Sequence, residues 1–346
     1  MIFNRDMAAG MDRRAQSFVG QPPLAVHCLE SGVVVVEQKD SVRALFARPA
    51  PSQLRLVELS GPGAARAILA MLQTNFEWSA ELRQCRIELD VAPAAVRGEL
   101  LRRGACEPSS GHASSLLCRR SALAQLPDLW LCAARAADYP QRLVVSEGKR
   151  HPQRPAKPTG VVYQRRVQGL SSTLSLRAAD VAVHLNAFHR WMNDPRVSRI
   201  WELAEPRAAL AEYLDKVARD PHTLPLIGEW DGEPFGYFEL YWAKEDRIAP
   251  FYQVSDYDRG VHVLVGEARF RGPQRVAAWL SALAHYTFLD DPRTQHLVAE
   301  PRADNAKMIA YFTQAGFHRE RAFDFPHKRA ALMNLPREVF FDQHCP

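Results

Sequence analysis

"GEARFRGPQRVAAWLSAL", residues 266–283, decides the fold. Just upstream lies "GVHVLVG", residues 260–266, an apolar, β-branched run that reads as a strand. From Pro273 onward the apolar residues fall at helical spacing, and proline at a first helical position costs the helix no hydrogen bond. A strand that passes through the basic loop Arg269-Phe270-Arg271-Gly272 into a helix N-terminus offers a seat for a phosphate. Free N–H groups and the helix dipole favour an anion there, and Arg269, Arg271 and Arg275 add charged donors.

Elements of the same kind continue on both sides. "TLSLRAAD", 173–180, is a strand, and Asp180 can cap a helix through "VAVHLNAFHRWMND", with Val181, Leu185, Phe188 and Met192 on one face. "EPRAALAEYLDKVARD", 205–220, is a second helix. "LPLIGEWDGEPFGYFELYWA", 224–243, is a hairpin turning at Asp231-Gly232. "QHLVAEP", 295–301, is a strand. "DNAKMIAYFTQAGF", 304–317, is a helix with Asp304 as expected cap and Gly316 past its end, and "RAALMNL", 329–335, is a last strand.

Ahead of this half, "SEGKRHPQRPAKPTG", 146–160, is Pro-rich, basic and nearly free of apolar residues, so it reads as an extended linker. The expected organisation is an N-terminal α/β domain over 1–145, the linker over 146–160, and a second domain over 161–346. In the first domain, 32–38, 84–91 and 114–120 read as strands and 62–78 and 92–105 as helices, with no polar cluster of catalytic type. "GPGAARA", 61–67, is a lone Gly-rich turn without the Lys and Ser/Thr of a nucleotide loop.

The chain has 346 residues, 47% hydrophobic and 24% charged, as in ordinary globular proteins. A net charge of +5 is too mild to argue for nucleic acid and suits an anionic small molecule. Six cysteines without a CxxC pair give neither a zinc pattern nor a disulfide framework, and no metal site is expected. The first residues hold no signal-peptide apolar stretch and no run of about 20 apolar residues occurs, so a cytoplasmic location away from membranes is expected.

The order β-α-α-β-β-β-α-β-α-β, together with "FHRWMNDPRV", "GYFELYWA", "GVHVLVGE", "AEPRADNAKMIAYFTQAGF" and "ALM", resembles the siderophore acyltransferases of the GNAT acyl-CoA N-acyltransferase superfamily. That group holds the aerobactin-type N-hydroxylysine acetyltransferases and the mycobactin lysine acyltransferase. The resemblance covers roughly residues 170–340. It implies a mixed α/β GNAT fold in the C-terminal half and, for the N-terminal domain, a possible degenerate GNAT-like half. It further implies acetyl-CoA or another acyl-CoA as co-substrate with no tightly bound cofactor. The acceptor it implies is an N-hydroxylated lysine- or ornithine-type side chain, and the product a hydroxamate for iron acquisition. A GNAT enzyme for another amine, such as an aminoglycoside or a protein N-terminus, and a non-catalytic CoA-binding protein are the alternatives.

The resemblance also assigns roles. His262, on the strand that lines the thioester, is the expected catalytic residue; Asp304 is the first choice for its acidic partner and Glu300 the second. Arg269, Arg271, Gly272, Gln274 and Arg275 are expected at the CoA pyrophosphate, although Gln274 stands where the family has Gly or Ala. Backbone groups of Val263 and Val265 and the side chain of Asn305 complete the expected CoA contacts. His189, Trp191, Asn193 and Trp242 are expected in the acceptor pocket, with Glu239 or Asp258 available to an α-ammonium.

Overall fold

Runs of β-branched and aromatic residues build two large sheets. The computed structural model describes residues 12–14, 24–29, 33–38, 41–132 and 141–345. Its described residues fall into two compact units, one reaching Trp130 and including Cys345, the other running from Leu131 to His344.

The first unit carries β1 (Asp12–Arg14), β2 (Ala25–Cys28), β3 (Val33–Gln38), β4 (Val42–Ala50), β5 (Gln53–Ser60), α1 (Ala64–Trp78), β6 (Gln84–Glu88), α2 (Ala94–Arg102), β7 (Glu107–Pro108), β8 (Ser115–Arg119) and α3 (Arg120–Ala124). Its sheet runs β1-β2-β3-β4-β5-β6-β8-β7, with β5 and β6 parallel. Ile68, Met71, Leu72 and Phe76 of α1 are buried, as their spacing requires. β4 and β5 escape the sequence reading, yet they alternate: Val42, Ala44, Phe46, Leu54 and Leu56 are buried between exposed Arg43, Gln53 and Arg55.

The second unit carries β9 (Leu143–Ser146), β10 (Lys149–Pro152), β11 (Val161–Val167), β12 (Ser172–Ala178), α4 (Val181–Met192), α5 (Pro195–Trp201), α6 (Arg207–Arg219), β13 (Thr223–Trp230), β14 (Glu233–Trp242), β15 (Arg259–Val265), α7 (Pro273–Asp290), β16 (His296–Ala299), α8 (Ala306–Gln314), β17 (His318–Asp324) and β18 (Arg329–Pro336). Its large sheet runs β11-β12-β13-β14-β15-β16-β18-β17. One face packs on α4 and α6 through Phe188, Trp191, Leu210, Leu214, Tyr237 and Leu264. On the other, Trp279 of α7 stacks on Phe238 with ring centroids 5.2 Å apart. Successive residues of a strand face opposite ways, so His262 shares the α4–α6 face with Leu264.

β15 and β16 are parallel, but they pair only at Arg259–Leu297 and Gly260–Val298. Beyond those residues the strands part. β15 stays bonded to β14 as far as Val265, which leaves its other edge without a strand among the described residues.

Residues 146–160 correct the linker expectation. They include the turn and second strand of the β9–β10 hairpin and then a strap whose basic side chains turn inward. Arg154 holds both carboxylate oxygens of Glu245, at 2.5 and 2.7 Å, and donates to Asp256 O. His151 Nδ1 lies 2.8 Å from Glu245 Oε1, Lys149 donates to the carbonyls of Glu245 and Asp246, and Lys157 donates to Val217, Asp220 and Thr223 O at the end of α6. Prolines and charges signal solvent in a sequence; here the charges find buried acceptors instead. Burial alone would raise the Glu245 pKa, but the hydrogen bonds of His222 and Arg154 more than reverse this and lower it.

Arg154 and Glu245 are both buried, their side chains 2% and 4% exposed, so an unpaired survivor is costly. Arg154→Met is expected to lower stability by ~3–5 kcal/mol, read as a shift in the urea midpoint. Because the folded-state pKa of Glu245 is lowered, its contribution is complete above about pH 4.3, the ordinary glutamate value, and fades as acid passes the folded value. An unchanged midpoint in the variant at neutral pH would mean that the strap is not anchored by this pair.

Candidate active site

The β14–β15 ladder sets Glu239 directly opposite His262. His262 Nδ1 is 2.9 Å from Glu239 Oε2, and its Nε2 is 2.7 Å from Glu300 Oε1, just past the end of β16. Both carboxylates are buried, at 6% and 3% exposure, where an ionised group persists only if paired and hydrogen-bonded. Tyr213 of α6 and Tyr237 of β14 donate to Glu239 Oε1 at 2.6 and 2.9 Å. Tyr241 donates to Glu300 Oε2 at 2.7 Å, and Lys328 Nζ stands 3.8 Å from Glu300 Oε1. The rings of Tyr241 and Trp201 lie 4.8 and 6.4 Å from the imidazole.

An ionised carboxylate only accepts, so each ring nitrogen facing one must donate. His262 is therefore an imidazolium. Burial alone would lower its pKa; Glu300 and Glu239 together overturn that and raise it to about 10. For Glu300 burial pulls upward, and His262 and Lys328 reverse it to about 2. Glu239 is lowered in the same way by His262 and the two tyrosines. Burial, and the carboxylates they serve, push the phenols of Tyr213, Tyr237 and Tyr241 upward, so these remain donors.

At the far end of β15 the basic loop leads into α7. Gly272 adopts φ 130° and ψ 152° at the N-cap, a left-handed backbone that favours glycine, and no side chain caps the helix. Arg275 lies over the rings of Phe270 and Trp230, at 5.1 and 5.2 Å, and its buried Nη1 has no hydrogen-bond partner among the described residues. Arg269 is ion-paired with Glu233 and lies over Phe270, while Arg271 and Gln274 are exposed. Val263 and Val265 sit half-buried on the parting strand.

Several expected site residues go elsewhere. Asp304 neither touches His262 nor caps α8: it is exposed and pairs with Arg302, and Asn305 is the cap, its side chain accepting from Met308 N. Asn305 thus has a structural task as the cap of α8. Trp191 is core; it donates to Glu267 at 2.9 Å and its ring covers Gly266, where a Cβ would meet it at 2.1 Å. Asn193 ends α4, donating to the carbonyls of His189 and Glu205, and His189 is half-buried beside it. Trp242 is buried between the guanidinium groups of Arg259 and Arg154, at 3.9 and 4.1 Å. Asp258 accepts from Ser255 N and Tyr252 OH.

The residues missed are Tyr213, Tyr237 and Lys328. A signal for one of them was present: in "YFELY" the groups Tyr237, Glu239 and Tyr241 alternate along an otherwise apolar strand, which puts all three on one face. Among the described residues, His151, His222 and Glu245 also bring potential metal ligands together, but Arg154 already holds both Glu245 oxygens.

Comparison with known proteins shows the family. Residues 180–325 match the Acetyltransferase (GNAT) domain family. An N(6)-hydroxylysine O-acetyltransferase of Escherichia coli is 40% identical over 236 residues, which is 67% of this chain and 74% of that protein. An N(5)-hydroxyornithine:cis-anhydromevalonyl coenzyme A-N(5)-transacylase of Beauveria bassiana is 50% identical over 200 residues, 57% of this chain and 44% of its own length. The chain thus spans less than half the length of the hydroxyornithine transacylases it matches. A crystal structure of an uncharacterized protein from Bacillus halodurans superposes with a TM-score of 0.51 at 29% identity, over 53% of this chain and 94% of that one. The chain belongs to the GNAT acyltransferase superfamily, in the group that contains these siderophore acyltransferases.

A nitrogen-15 NMR titration should find both ring nitrogens of His262 protonated at pH 8. The stabilisation from this raised pKa is complete below about pH 6.5, the ordinary histidine value, and is lost as pH climbs through about 10. Glu300→Gln should bring the pKa down. A neutral imidazole at pH 7 in the wild type would refute the arrangement.

Proposed function

We propose that this protein is an acyl-CoA-dependent N-acyltransferase whose acceptor is the hydroxylamine of an N-hydroxylated lysine- or ornithine-type side chain, with a hydroxamate as product and acetyl as the favoured acyl group. The observation that carries this reading is His262 between Glu239 and Glu300 where β15 and β16 part, one strand away from a basic helix N-terminus. The similarity to a hydroxylysine acetyltransferase and a hydroxyornithine transacylase supports the acceptor class. Arg269, Arg271, Arg275 and the first turn of α7 would take the pyrophosphate, and the open edge of β15 the pantetheine arm. Such a donor suits a cytoplasmic reaction, and no helix among the described residues is long and apolar enough to cross a membrane.

The proton balance closes on His262. The acceptor nitrogen, largely neutral at pH 7, attacks the thioester carbonyl and forms the C–N bond. The C–S bond breaks, and the imidazolium passes a proton to the departing sulfur. The neutral imidazole then takes the proton from the acylated nitrogen, and the two carboxylates hold the restored cation. One carboxylate keeps its ring nitrogen throughout, and the other yields its nitrogen to the substrate while the proton moves; backbone N–H groups of β15 are the candidates for holding the carbonyl oxygen. His262→Gln should lower kcat about 100- to 10,000-fold, as removal of an acid–base group does, with a much smaller change in the Kd for CoA. Thiol release from acetyl-CoA with N-hydroxylysine, N-hydroxyornithine and plain lysine reads it. Near wild-type turnover in the folded variant would take His262 out of the mechanism.

For the first unit we propose a GNAT-like half without a working site. Its support is the strand order β1-β2-β3-β4-β5-β6-β8-β7, which repeats that of the second unit place for place. Gly61 to Gly63 precede α1 as Gly272 precedes α7. Two residues past the last β5–β6 pair stands Val57, where the second unit has His262 two residues past the last β15–β16 pair. Calorimetry should therefore find one CoA per chain. Gly272→Val should weaken that site, since valine resists the left-handed backbone and brings bulk to the phosphate. Two sites per chain, or full affinity in the variant, would contradict this division of labour.

A further inference from the structure

The loop between β14 and β15 brings Arg247 to the active site, and no role has yet been found for it. Its guanidinium lies 3.9 Å from Glu300, over the ring of Phe325 at 5.2 Å, with the side chain 51% exposed. Among the described residues it makes no hydrogen bond, so its fork of N–H donors is aimed at solvent beside the imidazole. Lys328, from the β17–β18 turn, stands over the same ring at 5.6 Å and donates to Glu300 O at 2.8 Å. His327 stacks on Phe325 at 5.4 Å, and burial together with Arg247 and Lys328 lowers its pKa, a sign of positive potential at this rim.

Place in the fold separates this cation from the donor site. Arg247 precedes β15 and the basic loop follows it, with His262 between them. Arg269, Arg271 and Arg275 lie on the loop and helix beyond β15, whereas Arg247 is tied to His262 through the shared Glu300 carboxylate, so the two basic groups belong to different parts of the site. The pyrophosphate accounts for one. The exposed end of Arg247 is within one carboxylate of His262, and the terminal nitrogen of a lysine- or ornithine-type acceptor lies five or six bonds from its α-carboxylate. Resting on the reaction proposed above, we infer that Arg247, supported by Lys328, binds the α-carboxylate of the acceptor, so that the protein acylates N-hydroxylated amino acids in preference to the decarboxylated diamines. A guanidinium held flat on an aromatic ring loses little freedom on binding a planar carboxylate through two parallel hydrogen bonds. The reaction that supplies the substrate is then hydroxylation of a free amino acid without prior decarboxylation.

The test compares N6-hydroxylysine and N5-hydroxyornithine with N-hydroxycadaverine and N-hydroxyputrescine, in wild type, Arg247→Gln and Arg247→Lys. Wild type should favour the carboxylated member of each pair, and Arg247→Gln should cut that preference about 10- to 100-fold, the range for a hydrogen bond between charged groups, mostly through the acceptor KM. Arg247→Lys should keep part of it. Equal use of both members by wild type overturns the inference and leaves the acyl-transfer reading standing, as does an unchanged preference in Arg247→Gln. A rise in the KM for acetyl-CoA in place of the acceptor would assign Arg247 to the donor and also overturn it. If wild type acylates none of the four, the reaction itself is misread and the inference falls with it.

Discussion

The pairing of one imidazolium with two buried carboxylates is the constraint on which the site depends. Two carboxylates lie where water hardly reaches, beside an imidazolium that is 24% exposed, and each buried charge is tolerable only because its partner is in place. Three tyrosines contribute the remaining hydrogen bonds, so α6, β14 and β16 must all be in register for the charges to be satisfied together. The arrangement lies at the point where two parallel strands stop pairing and part from one another.

Basic groups gather at two places around β15. β15 leads at its end to arginines and an uncapped helix start, while Arg247 and Lys328 stand at Glu300, beside His262 in the middle of the strand. The buried ring of Phe325 beneath Arg247 holds that cation without neutralising it.

Much of the second unit was legible in sequence because its elements carry strong periodicity and clear punctuation, as with Asp180, which caps α4, and the Asp231-Gly232 turn. His262 stood out because a polar residue in "VHVLVG" breaks an apolar face. Its partners did not, since β14 and β15 are joined by a long loop and no count along the chain yields their register. Asp304 attracted the acidic role by its place before a helix, yet Asn305 one residue on takes the cap. Glu300 was the second choice because nothing in "AEP" shows that the strand ends with its carboxylate turned inward. β4 and β5 were hidden by arginines on their exposed faces.

The strap at residues 146–160 bears on how the chain can be taken apart. Sequence alone invites a cut near residue 160, at the end of what looks like a tether. A fragment beginning at residue 161 would lose His151, Arg154 and Lys157 together, stranding the Glu245 carboxylate in the interior and baring the carbonyls that finish α6. The compact unit to which the strap belongs begins at Leu131. Proteolytic nicking within the strap should accordingly be slow for so proline-rich a segment, and a fragment prepared from the wrong side of it would appear insoluble for reasons unrelated to its active site.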